Sequence, residues 1–187
     1  MLIGLDPGLS GAIAWLDDEG RLIEARDLPI AKTNGRSQLM PAVLAGWLME
    51  MNRRPTHAFL ERVATRPGEG AVGAFSFGRG YGQIEGVLAA VGIPVTLVTP
   101  QKWKGALGVP ADKSAARLRA SQLWPGLAGT FARVKDDGRA EAALLGHYGA
   151  QTMRPQQDRR RGADEESARS LAGDAGAKRT TGKTGNV

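Results

Sequence analysis

The 187-residue sequence contains no cysteine and only two histidines. The lack of cysteine excludes disulfide bonds, thiolate zinc sites and a cysteine nucleophile. The two histidines, His57 and His147, do not have metal-ligand spacing, so we expect both to be structural. No apolar run approaches the length that spans a bilayer. A strand-like segment begins at Leu2 with no visible signal or transit peptide before it, and we therefore expect an intracellular protein.

Basic residues outnumber acidic ones, with 25 Lys and Arg against 19 Asp and Glu, which gives a net charge of +6. This balance favours a polyanionic partner such as nucleic acid, although many basic proteins bind none. A hydrophobic content of 42% over this length is sufficient for one globular domain with its own core.

The hydrophobic pattern predicts alternating strands and helices over residues 1–151. We expect strands at 2–6, 11–16, 21–28, 57–60 and 95–98, and helices at 38–51, 75–91, 101–107, 113–123 and 140–148. This order is typical of an α/β domain with a five-stranded mixed sheet flanked by helices. Residues 152–187 are rich in charged and small residues, which predicts a basic, disordered tail. Its run Arg159, Arg160 and Arg161 is an optional DNA contact.

Acidic residues follow two of the predicted strands, since Asp6 ends the first and Glu61 ends the fourth. If those strands are parallel neighbours, both carboxylates leave the same edge of the sheet. Asp137 and Glu141 are four residues apart and therefore share a face of the last helix. Taken singly, each acid also has a structural explanation, as a turn former, a surface residue or a helix cap.

Several carboxylates at one place repel each other and are tolerable only with a cation that prefers oxygen ligands. We therefore expect Mg²⁺, with Mn²⁺ as a substitute. Two such ions, about 3.5–4 Å apart, could align an attacking water and stabilise the leaving oxygen of a phosphodiester.

Four motifs in this order resemble the RuvC-type Holliday junction resolvases. They are the opening Ile3-Gly4-Leu5-Asp6-Pro7-Gly8 with Ser10-Gly11, the strand Phe59-Leu60-Glu61, the glycine-bearing helix and following strand at 76–95, and the acidic helix at 138–145. The resemblance covers about residues 2–150. The hairpin-to-helix region and the Gly-rich loop at 66–73 resemble most the plant plastid branch of this family.

The resemblance implies an RNase H-like fold and a homodimeric crossover junction endodeoxyribonuclease that makes paired, Mg²⁺-dependent nicks in four-way DNA junctions. Such an enzyme would act in DNA recombination and repair, in the cytoplasm at the nucleoid. It implies metal-binding and catalytic roles for Asp6, Glu61, Asp137 and Glu141.

Two positions depart from the family pattern. The family usually carries Asp where Glu141 stands. Asp137 stands where plastid members have His, whereas bacterial members place an Asp at the position of Gly138. Asp137 is our choice for the further ligand, and Asp136 is the alternative.

Basic and aromatic residues are predicted to contact DNA. Lys104 and Lys113 match family lysines near the scissile phosphates, and Lys104 is also expected to be catalytic by stabilising developing charge. The same DNA path is expected to include Lys102, Arg62, Arg66, Arg79 and the base-stacking residue Phe75. An ordinary solvated lysine is the alternative at each lysine position.

Three questions stay open at this level. Trp103 is either a core residue or a platform on the DNA side. The glycine face formed by Gly78, Gly82 and Gly86 packs either on the sheet or on its twin across a dimer axis. The substrate could also be another branched DNA or an RNA–DNA hybrid, and a non-catalytic binder of branched DNA is the third possibility.

Overall fold

The computed structural model describes residues 1–153, except residues 34, 51–53, 65–67 and 69 and the side chain of Lys113. The strands are β1 (Leu2–Asp6), β2 (Ala12–Leu16), β3 (Leu22–Asp27), β4 (Ile30–Thr33), β5 (Arg36–Leu39), β6 (His57–Glu61) and β7 (Val95–Val98). The helices are α1 (Pro41–Met49), α2 (Ala71–Ala90), α3 (Pro100–Leu107) and α4 (Lys113–Leu123). Two 3₁₀ segments, Pro125–Phe131 and Val134–Asp136, precede α5, which begins at residue 137 and is described to residue 153.

Five strands form one mixed sheet in the order β3-β2-β1-β6-β7. Strand β1 is antiparallel to β2 and parallel to β6, and β6 is parallel to β7. The predicted α/β class with a five-stranded mixed sheet is therefore confirmed.

Helices cover both faces of the sheet, which explains why its central strands are apolar on both sides. On one face, Ile3 and Leu5 pack in a buried cluster with Leu44 of α1 and Leu88 of α2. On the other face lies α5, whose backbone approaches β1 so closely that a Cβ on Gly4 would stand 2.0 Å from the carbonyl oxygen of Ala142. Helix α5 therefore packs on the face of the sheet that contains β1, the parallel neighbour of β6.

The antiparallel hairpin of β4 and β5 was not predicted, and residues 38 and 39 belong to its second strand rather than to α1. Gly35 in its turn has φ of +75°, the left-handed conformation that a tight hairpin turn requires. Pro41 then begins α1, because a proline in the first helical turn loses no intrahelical hydrogen bond.

Other boundaries differ less from the prediction. Helix α2 begins at Ala71, so the last part of the predicted Gly-rich loop is helical. His57 and His147 make structural hydrogen bonds, to the hydroxyl of Thr96 at 2.8 Å and to the carbonyl of Gly20 at 2.8 Å. Within the described ranges, no helix combines the length and apolar character needed to cross a membrane. Beyond residue 153, the predicted tail lies outside the described residues.

Candidate active site

Asp6 and Glu61 occupy the carboxyl ends of neighbouring parallel strands. The register between β1 and β6 pairs Leu2 with His57 and Leu5 with Leu60, so the two acids follow at equivalent positions. Their expected emergence at one edge of the sheet is therefore confirmed. Since parallel strands end together, the backbone alone brings these two carboxylates to one place.

Helix α5 brings Glu141 to the same edge. The helix approaches the sheet through Gly146, where a Cβ would stand 2.3 Å from Cδ1 of Leu16, and through Gly138, where a Cβ would stand 3.1 Å from Oδ2 of Asp6. With α5 fixed at both points, Glu141 joins Asp6 and Glu61, and one carboxylate oxygen from each lies within 4.8 Å of the others. We call these three residues the acidic triad.

Burial and mutual repulsion make the acidic triad unfavourable when it is fully ionised. Desolvation by burial, followed by the charges of Glu61 and Glu141, raises the pKa of Asp6 from 3.8 to about 7. Burial also raises the pKa of Glu61, against a lowering by the hydrogen bond from Trp103. A divalent cation would remove this repulsion, and a set of carboxylate oxygens is the donor set that Mg²⁺ and Mn²⁺ prefer. The residues present therefore fit a divalent metal site.

Helix α3 contributes a hydrogen-bond donor and a cation to the acidic triad. The indole Nε1 of Trp103 donates to Oε1 of Glu61 at 2.9 Å. The ammonium of Lys104 donates to Oε1 of Glu141 at 2.7 Å and lies 5.2 Å from the centre of the Trp103 ring. Lys104, which was predicted to be catalytic, therefore lies beside the acids. Of the two possibilities for Trp103, a core residue or a platform on the DNA side, the structure shows a buried core residue.

Asp137 and Asp136 are each held by an arginine. Oδ1 of Asp137 accepts a hydrogen bond from Nε of Arg117 at 2.6 Å, and Asp137 does not belong to the acidic triad. Asp136 is fully buried and accepts hydrogen bonds from the backbone and guanidinium of Arg133. Of the four predicted ligands, the structure thus gathers three, and it pairs the fourth with Arg117.

Gly138, the position of the bacterial-type acid, packs against the loop after β1. A Cβ on Gly138 would stand 2.4 Å from the carbonyl oxygen of Ser10, which is closer than real Cβ contacts. An acidic side chain at this position is therefore incompatible with the present course of residues Leu9 to Gly11.

The predicted DNA-contacting residues are mostly solvent-exposed. Arg62, Arg79 and Lys102 are exposed, as is Phe75 with 75% of its surface accessible. Lys113 is the first residue of α4, but its side chain lies outside the described set, and so does the whole of Arg66.

Phe75 and Arg79 line a groove of about 470 Å³ between α2 and the unpredicted hairpin. Its other lining residues are Leu9, Arg36, Ser37, Gln38, Leu39, Val72, Ser76, Gly80 and Gln83. The groove combines apolar surface with two arginines.

The sequence did not indicate two of the contacts at this site. Neither the bond from Trp103 to Glu61 nor the pairing of Arg117 with Asp137 has a sequence signal, because each joins residues at least 20 positions apart. The run Lys102-Trp103-Lys104 after a strand was visible in the sequence, but only the packed position of α3 shows that Trp103 meets Glu61 and Lys104 meets Glu141.

No family model matches the sequence, and no curated protein matches it. Two solved structures are similar in fold. "T. thermophilus RuvC in complex with Holliday junction substrate" has a TM-score of 0.58 and 18% identity, covering 81% of this chain and 94% of that chain. "Thermus thermophilus RuvC structure" has a TM-score of 0.50 and 19% identity, covering 81% of this chain and 95% of that one. At this identity the likeness concerns the fold, and the chain accordingly has the RNase H-like fold of the RuvC structures.

Proposed function

We propose that this chain is a divalent-metal-dependent endonuclease that cleaves branched DNA, chiefly four-way junctions, by phosphodiester hydrolysis. The observation that carries the proposal is the convergence of Asp6, Glu61 and Glu141 at the carboxyl edge of the sheet. Support comes from the fold, which resembles that of a RuvC bound to a Holliday junction. A DNA-acting enzyme of this kind would work in the cytoplasm, at the nucleoid.

The acidic triad would hold the metal, probed as Mg²⁺ or Mn²⁺, and Asp137 is a further ligand only if Arg117 releases it. Bound divalent cations would supply an activated water and neutralise developing negative charge. Asp6 and Glu61 are fixed by strands rather than loops, so their oxygens are preorganised. Lys104, which lies beside Glu141, would stabilise charge that develops on a phosphate oxygen.

DNA would lie along the exposed basic residues around the site. Arg62, Arg79 and Lys102 are accessible to phosphates, and we extend the path to Lys113 and Arg66. Phe75 exposes an aromatic face beside the groove, where it would stack on a base at the open centre of a junction. Apolar surface next to arginine is suited to an unstacked nucleotide.

We also propose a homodimer, because paired nicks require two active sites. The glycine face of α2 supports it, since a Cβ on Gly78, Gly82 or Gly86 would meet nothing within 4 Å. This exposed, flat face permits close approach of a second backbone. Sedimentation of the purified chain at several concentrations tests this, and a strictly monomeric protein would contradict it.

Cleavage of a labelled synthetic four-way junction with Mg²⁺ or Mn²⁺ tests the enzyme proposal. We expect metal-dependent nicking by the wild type and none by Asp6→Asn. The matched control is Asp18→Asn, because Asp18 pairs with the amino terminus of Met1 at the opposite end of β1. If the wild type cuts the junction neither with Mg²⁺ nor with Mn²⁺, the enzyme proposal is overturned.

A substrate panel separates the alternatives. Junction, flap, RNA–DNA hybrid and linear duplex are compared at matched salt, because phosphate-driven affinity depends steeply on salt. Preferred cleavage of flap or hybrid would identify a nuclease of the same fold with another substrate. Junction binding without cutting would identify a non-catalytic binder.

A further inference from the structure

Trp103 and Trp15 are both buried, but their indole nitrogens have different surroundings. Trp103 has no exposed surface, and its Nε1 donates to Glu61 over a separation of 42 residues in the chain. Trp15 is 2% exposed, and its Nε1 finds no hydrogen-bond partner among the described residues. This core therefore accommodates an indole without giving it a carboxylate, so burial alone does not account for the contact between Trp103 and Glu61.

We propose that Trp103 is a positioning residue for the metal site, whose indole N–H holds Oε1 of Glu61 and leaves its second oxygen for the cation. The inference rests on the proposed function, because it assumes that the acidic triad binds a divalent ion. Groups that hydrogen-bond to metal ligands fix the orientation of those ligands and commonly change metal affinity 10–100-fold when removed.

The chemistry of indole suits this role. Its N–H is a donor only, so it orients a carboxylate without coordinating the metal itself. The ring is neutral, so it adds no charge that would compete with the cation at Glu61. Lys104, the next residue of α3, is also a donor only, but it is charged, and its ammonium forms an ion pair with Glu141.

The packing of Trp103 makes the contact rigid. A fully buried indole has few accessible side-chain rotamers, and Lys104 lies against its ring. Glu61 is itself 7% exposed, so water has little access to replace the N–H. Loss of this donor would leave Oε1 without that hydrogen bond and free the carboxylate to rotate.

Calorimetric titration with Mg²⁺ alone tests the proposal on the full chain. We expect Trp103→Phe, which keeps an aromatic ring and loses the N–H, to bind Mg²⁺ about tenfold more weakly. The matched variant Trp15→Phe loses an unpartnered N–H and should bind within about twofold of the wild type.

The outcomes separate this inference from the proposed function. If the wild type binds Mg²⁺ and Trp103→Phe binds it with the same affinity, the proposed role of Trp103 is overturned and the proposed function is not. A wild type that binds neither Mg²⁺ nor, in the same titration, Mn²⁺ overturns the proposed function and this inference with it. An equal loss in both variants also overturns it, because that result reports general damage to the core.

A measurement on the wild type keeps the proposal testable if Trp103→Phe does not fold. The four indole N–H resonances are assigned with Trp15→Phe, Trp47→Phe and Trp124→Phe, which leaves that of Trp103. We expect saturation with Mg²⁺ to shift the Trp103 resonance and to leave that of Trp15 in place. A Trp103 resonance that stays unchanged through saturation overturns the inference.

Discussion

The ammonium of Lys104 lies 2.7 Å from Oε1 of Glu141, which joins α3 to α5 across the acidic triad. Both side chains are about one-quarter exposed, at 24% and 26%, so solvent and substrate can reach the pair. A cation at this place partly neutralises three clustered carboxylates in the metal-free protein. The same ammonium is near enough to the triad to meet a phosphate that binds there.

Replacing Lys104 with glutamine should separate catalysis from metal binding. We expect the single-turnover rate of junction cleavage to fall about 100-fold, because a donor to the developing charge is lost. Mg²⁺ affinity should not fall, since Lys104 competes with the ion for Glu141. The control Lys102→Gln, at an exposed residue of the same helix, should weaken DNA binding without this loss of rate. Cleavage by Lys104→Gln at the wild-type rate would contradict the assignment.

The metal-free protein should lose stability as the pH rises from 4 towards 7, because the pKa of Asp6 is raised from 3.8 to about 7. Between these values the folded protein holds a proton that the unfolded chain has released, so the free energy of unfolding falls with rising pH. Above the folded pKa the loss is complete. The measurement is the Tm of the wild type and of Asp6→Asn in EDTA, at about pH 5 and about pH 8.

The uncharged amide of Asp6→Asn should make that variant more stable than the wild type at the higher pH, and this advantage should shrink at the lower pH. Mg²⁺ should raise the Tm of the wild type more at the higher pH, where the triad carries more charge. If the Tm difference between the two proteins does not change with pH, the pKa of Asp6 is not raised by its burial.

Asp136 should be important for stability. Its fully buried carboxylate binds the backbone N–H of Arg133 at 2.8 Å and Nη2 of the same residue at 2.8 Å. We expect Asp136→Asn to lower the free energy of unfolding by about 2 kcal/mol, the usual loss for charge-assisted hydrogen bonds. Urea unfolding measures this, with Asp18→Asn as the exposed control. An unchanged unfolding midpoint would show that the network is unimportant to the fold.

Asp137 provides a test of the size of the ligand set. Its ion pair with Arg117 is partly exposed, at 20% and 32%, so Asp137→Asn should cost less than about 1 kcal/mol of stability. If three acids bind the metal, Asp137→Asn keeps most of its Mg²⁺ affinity while Glu141→Gln loses it. Complete loss of Mg²⁺ binding in Asp137→Asn would show instead that Arg117 releases Asp137 and that four acids act together.

The sequence predicted the parts of the site that depend on periodicity. The apolar runs before Asp6 and Glu61 identified two strands, and adjacent parallel strands necessarily end together. The hairpin of β4 and β5 was missed although Asn34-Gly35 is a hairpin signal, because the flanking residues lack apolar alternation. The partner of Asp137 depends on how α4 packs beside α5, and such long-range packing leaves no mark in local periodicity.

Gly138 should tolerate no side chain, even though an acid at this position would resemble the bacterial pattern. A Cβ would stand 2.4 Å from the carbonyl oxygen of Ser10 and 3.1 Å from Oδ2 of Asp6, so the loop and the carboxylate of Asp6 must both move. We expect Gly138→Ala to lower the free energy of unfolding by about 2 kcal/mol and to slow junction cleavage. Gly138→Asp should lose more stability and activity than Gly138→Ala, because it adds a negative charge beside the acidic triad.

The control Gly46→Ala meets open space on α1 and should be neutral or stabilising in urea unfolding. Full activity and stability in Gly138→Asp would mean that the loop after β1 yields easily, and that the tight contact of Ser10 with α5 does not hold Asp6 in place.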